Sequence, residues 1–277
     1  MILKVLNFFK LVFYNVKYKI FSKIFEKQFS SFQETQNYCN NIIKNGYANE
    51  QLNNFKLQSF KLNFENYNTL PQPSFKFLFE SLSFFLNHFK YFPKILDLGG
   101  SYGDNFLYLR NIFKFSDINY TIIEQENIVD SGKSIDYKCR SNHKINFYNS
   151  LDLALKQNDY DLLFSSGTLQ YTEYPYFILD KINSTNIKMI GLTRNSFSRN
   201  TKYISQISNL FDNGAGIVPQ NFKNCLLVYP HTTIEEEKLL KTLNKFKISF
   251  TNSSIEAGPF VPFKDCYSKD ISLIRND

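Results

Sequence analysis

The chain contains no tryptophan, two methionines, three histidines and four cysteines in 277 residues. The cysteines (Cys39, Cys139, Cys225 and Cys266) are scattered, with no CxxC pair and no histidine at metal-ligand spacing. That pattern excludes a disulfide framework and a zinc site as organising features and points to a reducing, cytoplasmic compartment. Asp159 and Asp161 have no partners that would complete a metal-ligand set, so no metal is expected. No lysine- or arginine-rich cluster stands in the body of the chain, which argues against a nucleic-acid-binding face. Repeats and low-complexity tracts are absent as well.

Aromatic residues are abundant instead: 30 Phe and 18 Tyr, within a hydrophobic content of 43%. Such a chain can bury a large core, and disorder as its main state is excluded. Its length suits one domain of about 190 residues plus an extension.

The formal net charge of +7 is unevenly spread. Lys4, Lys10, Lys17, Lys19, Lys23 and Lys27 oppose only Glu26 within residues 1–28, which leaves little net charge elsewhere. This segment is no signal peptide, because Lys10 and Lys17 break the apolar run and no small-residue cleavage site follows. It also lacks the ~18–20 uncharged residues needed to span a bilayer. Ile2, Leu6, Phe9, Phe13, Val16, Ile20 and Ile24 recur at helical spacing, so a basic amphipathic helix is expected over 1–28. Its seam can pack on the protein or on a second copy, or the helix can lie on a membrane surface with its lysines toward lipid phosphates. A helical cap is expected over 29–91, including an amphipathic helix Phe75–Lys90 that carries His88.

The texture changes after Pro93. Short apolar runs at Lys94–Leu98, Tyr120–Glu124, Lys144–Tyr148, Asp161–Ser165, Lys188–Thr193, Lys247–Thr251 and Ile271–Arg275 alternate with helix-length segments. Strands separated by helices predict a mostly parallel sheet covered on both faces, occupying 92–277.

The stretch Lys94–Arg110 (KILDLGGSYGDNFLYLR) holds three of the ten glycines. A strand ends in Asp97, Gly99, Gly100 and Gly103 follow, and a helix opens near Asp104. Glycines there let the backbone turn tightly and come close to a ligand. A second strand ends at Glu124, 21 residues past Gly103, where a carboxylate can accept both hydroxyls of a ribose. The turn is Asp-x-Gly-Gly-x-x-Gly rather than Gly-x-Gly-x-x-Gly, and Asp104 would repel a pyrophosphate at the helix start. A cationic, zwitterionic nucleoside fits better than a dinucleotide: S-adenosylmethionine, with its amino group met by Asp97 or nearby backbone.

Asp97–Gly103, Ile123-Glu124-Gln125 with Gly132-Lys133, Leu163-Phe164-Ser165-Ser166, Leu169-Gln170-Tyr171 and Pro175-Tyr176 together resemble a bacterial group of class I S-adenosylmethionine-dependent methyltransferases associated with surface-polysaccharide gene clusters. The similarity runs in motif order over roughly residues 60–250. It implies an α/β fold with a Rossmann-like seven-stranded sheet, its last strand antiparallel, behind the helical N-terminal extension. It also implies Asp97, Gly99, Gly100, Gly103, Glu124, Gln125, Asn149, Ser150, Ser165, Ser166 and Gly167 as cofactor-binding residues. The group's Asp-Arg-Thr-Pro-Phe after the fifth strand is Thr193-Arg194-Asn195-Ser196-Phe197 here, so only the Arg and Phe match. Tyr229-Pro230 fits a Tyr-Pro motif without its neighbouring tryptophan.

Methyl transfer to a hydroxyl needs alignment and removal of a proton. Candidates on the acceptor side are His231, read as standing just before a helix Thr232–Phe246, then Glu173 and Arg194, with Gln170 and Tyr171 nearby. Two function classes follow: a methyltransferase acting on a sugar or glycan intermediate, or a non-catalytic scaffold of that fold binding a partner or membrane through its N-terminal helix. An NAD-dependent enzyme is the weaker third.

Overall fold

The computed structural model describes residues 20–21, 23–43, 50–65, 73–114, 116–137, 139, 142–213, 217–253 and 265–276. The seam positions Ile2, Leu6, Phe9, Phe13 and Val16 lie outside them. In chain order the strands are β1 (Gln28–Phe29), β2 (Lys94–Leu98), β3 (Ile118–Ile123), β4 (His143–Tyr148), β5 (Leu162–Ser166), β6 (Met189–Ser198), β7 (Lys202–Asn209), β8 (Leu226–Glu235), β9 (Phe246–Ser253) and β10 (Tyr267–Arg275). The helices are α1 (Phe32–Ile42), α2 (Glu50–Glu65), α3 (Pro73–Phe89), α4 (Asp104–Ile112), α5 (Glu126–Lys133), α6 (Leu151–Gln157), α7 (Pro175–Asn183) and α8 (Glu236–Thr242).

Seven strands form the main sheet in the order β4-β3-β2-β5-β6-β10-β9. The first five are mutually parallel, and β10 runs antiparallel to both β6 and β9. This is the expected Rossmann-like sheet with an antiparallel last strand, and all seven anticipated strands are present. Their near-continuous apolar character follows from burial on both faces: Ile95, Leu96, Tyr120, Ile122, Leu162, Phe164 and Ile190 are all fully buried. One face is covered by α3 and α4 through Phe77, Leu78, Leu82, Phe85 and Phe106. The other is covered by α7 and α8 through Leu179, Ile182 and Leu239.

Three strands were not anticipated: β1, β7 and β8. β7 and β8 form an antiparallel hairpin between the fifth and sixth strands of the main sheet. β6 is long enough to serve both sheets: its first half pairs with β5, while Phe197 and Ser198 pair in parallel with Ile234 and Glu235 of β8. The expected helix Thr232–Phe246 is therefore corrected. Thr232–Glu235 continue β8, because Thr232, Thr233 and Ile234 are β-branched and buried, and the helix starts only at the acidic pair Glu236-Glu237.

The segment before residue 92 is built into this body. β1 pairs with β7, the Glu26 carboxylate accepts a hydrogen bond from Ile207 N–H (3.2 Å), and Ser205 Oγ donates to Phe25 O (2.6 Å). Phe21 and Phe25 pack against Cys39, Ile207 and Val228. Ile20 and Ile24, the last two residues of the seam, face solvent at 53% and 52% exposure. Helix α2 is pinned at two points. Phe55 stacks on Phe211 (5.7 Å) and meets Phe222 edge-on (5.3 Å), while Phe60 packs against Tyr102 and Tyr137. No helix among the described residues is long and apolar enough to cross a membrane.

Phe55 is fully buried, so Phe55→Ala is expected to destabilise the protein by ~3–5 kcal/mol, the range for a truncated core phenylalanine. Urea denaturation measures this; a loss under ~1 kcal/mol would mean that α2 is not anchored there.

Candidate functional site

A cavity of about 460 Å³ opens at the C-terminal ends of β2, β3 and β5. That is where the strand order reverses, since the crossovers from β2 and β5 leave in opposite directions along the sheet, and such crevices are where open α/β sheets bind ligands. Its volume falls within the ~300–1,000 Å³ of small-molecule pockets.

The turn after β2 forms the floor. Gly99 and Gly103 have φ of 78° and 89°, and Ser101 between them takes φ 52°. The left-handed Ser101 is a strained conformation for a side-chain-bearing residue. Its effect is to aim the Ser101 N–H at Glu124 Oε1 (3.3 Å), while Gln125 N–H donates to Glu124 Oε2 (2.9 Å). A carboxylate at the tip of β3 is thereby fixed at the cavity wall. A Cβ on Gly99 would lie 1.9 Å from Thr168 Oγ1, and one on Gly100 2.6 Å from Asp97 Oδ2. The glycines thus let two ligand-facing loops close on each other.

Asp97 is 1% exposed, and its carboxylate accepts hydrogen bonds from the Tyr120 hydroxyl and the Asn105 amide. Burial nevertheless pushes its pKa up to about 7, with the Glu124 charge adding to the effect. Asp104, at the first turn of α4, is also raised to about 7 by burial, against an Asn63 hydrogen bond and the Lys56 charge. Lys56, which lines the same cavity from α2, is lowered by burial; Glu124 and Asp104 oppose that shift and Arg194 adds to it.

On the far side, β6 carries a bulge. Ile271 pairs with Leu192 and Lys269 with Asn195, so Thr193 and Arg194 together face Asp270. Asp270 Oδ1 accepts from Thr193 Oγ1 (2.8 Å) and Arg194 N–H (3.1 Å). Arg194 takes φ 58° and lines the cavity. The extra residue re-aims the strand, a usual role of bulges beside sites.

The Leu-Gln-Tyr turn after β5 divides its labour. Leu169 enters the core, Gln170 accepts from Ser196 N–H (2.8 Å), and Tyr171 lines the cavity with its hydroxyl donating to Gln206 (3.1 Å). Asp212 and Asn213, in the turn after β7, complete the wall, braced by Asn209 and Ser208.

Of the residues expected to hold a cofactor, Asp97, Gly99, Gly100, Glu124, Gln125, Asn149, Ser166 and Gly167 line this cavity. Gly103, Ser150 and Ser165 do not. Gly103 caps α4, with the space at its Cα filled by Ile145 and Ile122; Ser150 caps α6; Ser165 is fully buried and ties β5 to β2 through Leu98 O (3.2 Å). Of the acceptor-side candidates only Arg194 reaches the cavity together with Tyr171. Glu173 is exposed outside it. His231 is in the middle of β8, fully buried, edge-on to Tyr171 (5.4 Å), with neither ring nitrogen hydrogen-bonded among the described residues. Burial lowers it to about 3, so it holds no proton near neutrality and is not placed as a base. Lys56, Thr168, Asp212 and Asn213 escaped the sequence reading because none belongs to a local motif. Among the described residues no group of His, Cys, Asp and Glu could hold a metal ion.

Solved methyltransferase structures share the fold outline. They include the CcbJ methyltransferase from Streptomyces caelestis (TM-score 0.47, 11% identity, 74% of this chain and 97% of that one). Magnesium protoporphyrin IX methyltransferase from Synechocystis PCC 6803 with bound SAM gives TM-score 0.46 and 14% identity, over 90% and 98% of the two chains. No protein-family model matches the sequence, and no curated protein matches it.

The His231 ring has a clear signature in stability. A histidine whose folded-state pKa lies below its unfolded value contributes stability above about 6.5 that is lost as pH falls toward 3. His231→Leu is expected to unfold less readily than the parent at pH 4–5 and to differ little at pH 8. Asp97 and Asp104, raised in the fold, act oppositely over this range in both proteins and so cancel in the comparison. Melting temperature against pH reads the difference; a parallel pair of curves would refute the buried neutral ring.

Proposed function

We propose that this chain is a class I S-adenosylmethionine-dependent methyltransferase acting on a hydroxyl or amine of a small acceptor, a sugar or surface-glycan intermediate. The observation that carries the reading is the placement of two carboxylates, Asp97 and Glu124, at the tips of adjacent parallel strands in one cavity. Glu124, held by two backbone N–H groups, is set to accept from a ribose diol. Asp97, buried and unfavourable as an isolated anion, gains most from a cationic partner such as an ammonium group. A dinucleotide is disfavoured, because a pyrophosphate at the start of α4 would meet Asp104 and Asp97. The acceptor class is supported by the motif resemblance alone.

When bound, S-adenosylmethionine supplies an electrophilic methyl group on a sulfonium centre. The protein's part is alignment, exclusion of water and handling of the acceptor proton. Gly99, Gly100 and Gly167 bring bare backbone to the ligand, and Tyr171, Thr172, Arg194, Asp212 and Asn213 form the wall open to an acceptor.

Isothermal titration with S-adenosylmethionine, S-adenosylhomocysteine and NAD tests the reading. The first two are expected to bind and NAD is not. Because Asp97 must be ionised to hold an ammonium group, affinity should rise from pH 6 to 8, by at most about tenfold per pH unit below its pKa. Asp97→Asn should weaken binding and flatten that dependence. NAD binding without either sulfur nucleoside would overturn the assignment.

The N-terminal segment supports a second element, peripheral contact with an anionic membrane. Ile20 and Ile24 are exposed at the end of a segment carrying six lysines, while Phe21 and Phe25 make its attachment to the body. Cosedimentation with vesicles containing phosphatidylserine should be reversed by salt and reduced in an Ile20→Ser, Ile24→Ser double variant. Identical sedimentation with neutral vesicles, or none at all, would remove this element.

A further inference from the structure

The charge that lines the cavity is out of balance. Asp97, Asp104, Glu124 and Asp212 face it against Lys56 and Arg194. At its inner end the acids crowd each other. The Glu124 charge adds to the effect of burial on Asp97, and the Asp97 charge adds to that on Asp104. Lys56 draws Asp104 the other way and offsets part of this. The cofactor's sulfonium, ammonium and carboxylate amount to one net positive charge. In formal charge the cavity therefore keeps one negative charge in excess when the cofactor is in place. Clefts lined by one sign of charge concentrate ligands of the other sign.

Asp212 stands where that charge meets an acceptor. It belongs to the turn Leu210–Asn213 after β7, on the same wall as Tyr171, Thr172 and Arg194. Asn209 Nδ2 donates to its Oδ2 (3.0 Å), and Asn213 Nδ2 braces the turn through Ser208 Oγ (2.6 Å) and Asn209 O (2.7 Å). The residue is exposed, and no lysine or arginine among the described residues forms an ion pair with it. Asp97 and Glu124 are assigned to the cofactor, and Asp104 is offset by Lys56. That leaves Asp212 as the acid on the acceptor side. A carboxylate fixed in this way loses little freedom when a cation binds.

Resting on the methyltransferase reading above, we infer that the acceptor is an amine that enters as its ammonium ion, and that Asp212 is the specificity-determining residue that receives it. A neutral hydroxyl compound would leave the excess charge in place, and an anionic acceptor would add to it. Before attack the ammonium gives one proton to water at the open mouth, a loss favoured by the neighbouring sulfonium charge. The nitrogen lone pair then forms the N–C bond as the C–S bond breaks, and the electrons of that bond stay on sulfur. The products are a methylated ammonium and a neutral thioether.

The test compares methyl transfer to D-glucosamine, D-galactosamine and D-mannosamine with transfer to their N-acetyl forms, which keep every ring hydroxyl and lose the positive charge. Release of S-adenosylhomocysteine gives the rate, and mass spectrometry locates the methyl group. At least one amino sugar is expected to exceed its N-acetyl form in kcat/KM by about 10- to 100-fold, the range for a hydrogen bond to a charged group. Asp212→Asn should lower that kcat/KM by a similar factor, mainly through KM, with the affinity for S-adenosylmethionine unchanged. Asp212→Glu should retain most of it. If the Asn variant melts below the parent, Asp212→Ser takes its place. Equal transfer to the N-acetyl forms, no transfer to any amino sugar by protein that binds S-adenosylmethionine, or an unchanged KM in the Asn or Ser variant overturns the inference. Failure of the wild-type protein to bind S-adenosylmethionine instead overturns the methyltransferase reading itself, so the two failures are distinguishable.

Discussion

The site depends on what happens to β6 at Thr193 and Arg194. Until that point the strand lies between β5 and β10, sealed into the main sheet. There the Asp270 carboxylate accepts from both the Thr193 hydroxyl and the Arg194 N–H, and the strand takes up one extra residue. Past the bulge β6 has left β5 but stays paired with β10 as far as Phe197, and Phe197 and Ser198 pair on the other side with β8. The β7–β8 hairpin joins β6 on the side where β5 has ended, and Asp212 and Asn213 of the turn Leu210–Asn213 that follows β7 line the cavity. The same bulge puts Arg194 in a left-handed conformation facing the site. One carboxylate thus fixes both a wall and a charge.

The cavity inverts the rules that hold elsewhere in the molecule. The sheet core is apolar on both faces, with Phe and Tyr rings in tilted and edge-on contacts. The pocket at its end gathers Asp97, Asp104, Glu124 and Asp212 against Lys56 and Arg194. Burial raises two of those acids to about 7, so part of the acidic charge is held back at neutral pH, and it shifts the lysine downward. Sites that break the local rules in this way are where function is expected to reside.

How far the sequence foretold this differs from element to element for physical reasons. The seven strands of the main sheet could be read because burial on both faces leaves unbroken apolar runs between helices. The glycine turn could be read because its backbone packs so closely on Thr168 and Asp97 that no side chain fits, and Glu124 because it is the acid that ends the next strand. The hairpin was missed. β7 (KYISQISN) alternates only weakly, and β8 contains Pro230, which reads as a break. Pro230 is tolerated because β8 meets β6 only at Ile234 and Glu235, leaving one side of the strand without a strand partner at that position. His231 was misjudged for the same reason: assigned to a helix start, it seemed accessible, whereas the strand buries it completely.

Lys56 shows why the remaining residues could not be found by motif. Glycine turns and strand-tip carboxylates are local, because a few consecutive residues make the geometry. The other wall of the cavity is assembled from α2, the turn after β7 and the bulge in β6, with α2 more than a hundred residues from the other two pieces. On α2 the only sequence trace is polarity among apolar neighbours, with Asn53, Lys56 and Asn63 among Leu52, Phe55 and Phe60. Such a trace has meaning only once the helix is known to face inward. The wall built from glycine turns and strand-tip carboxylates is therefore written in the strands of the sheet, whereas the opposite wall is written in the added helix, the bulge and the hairpin.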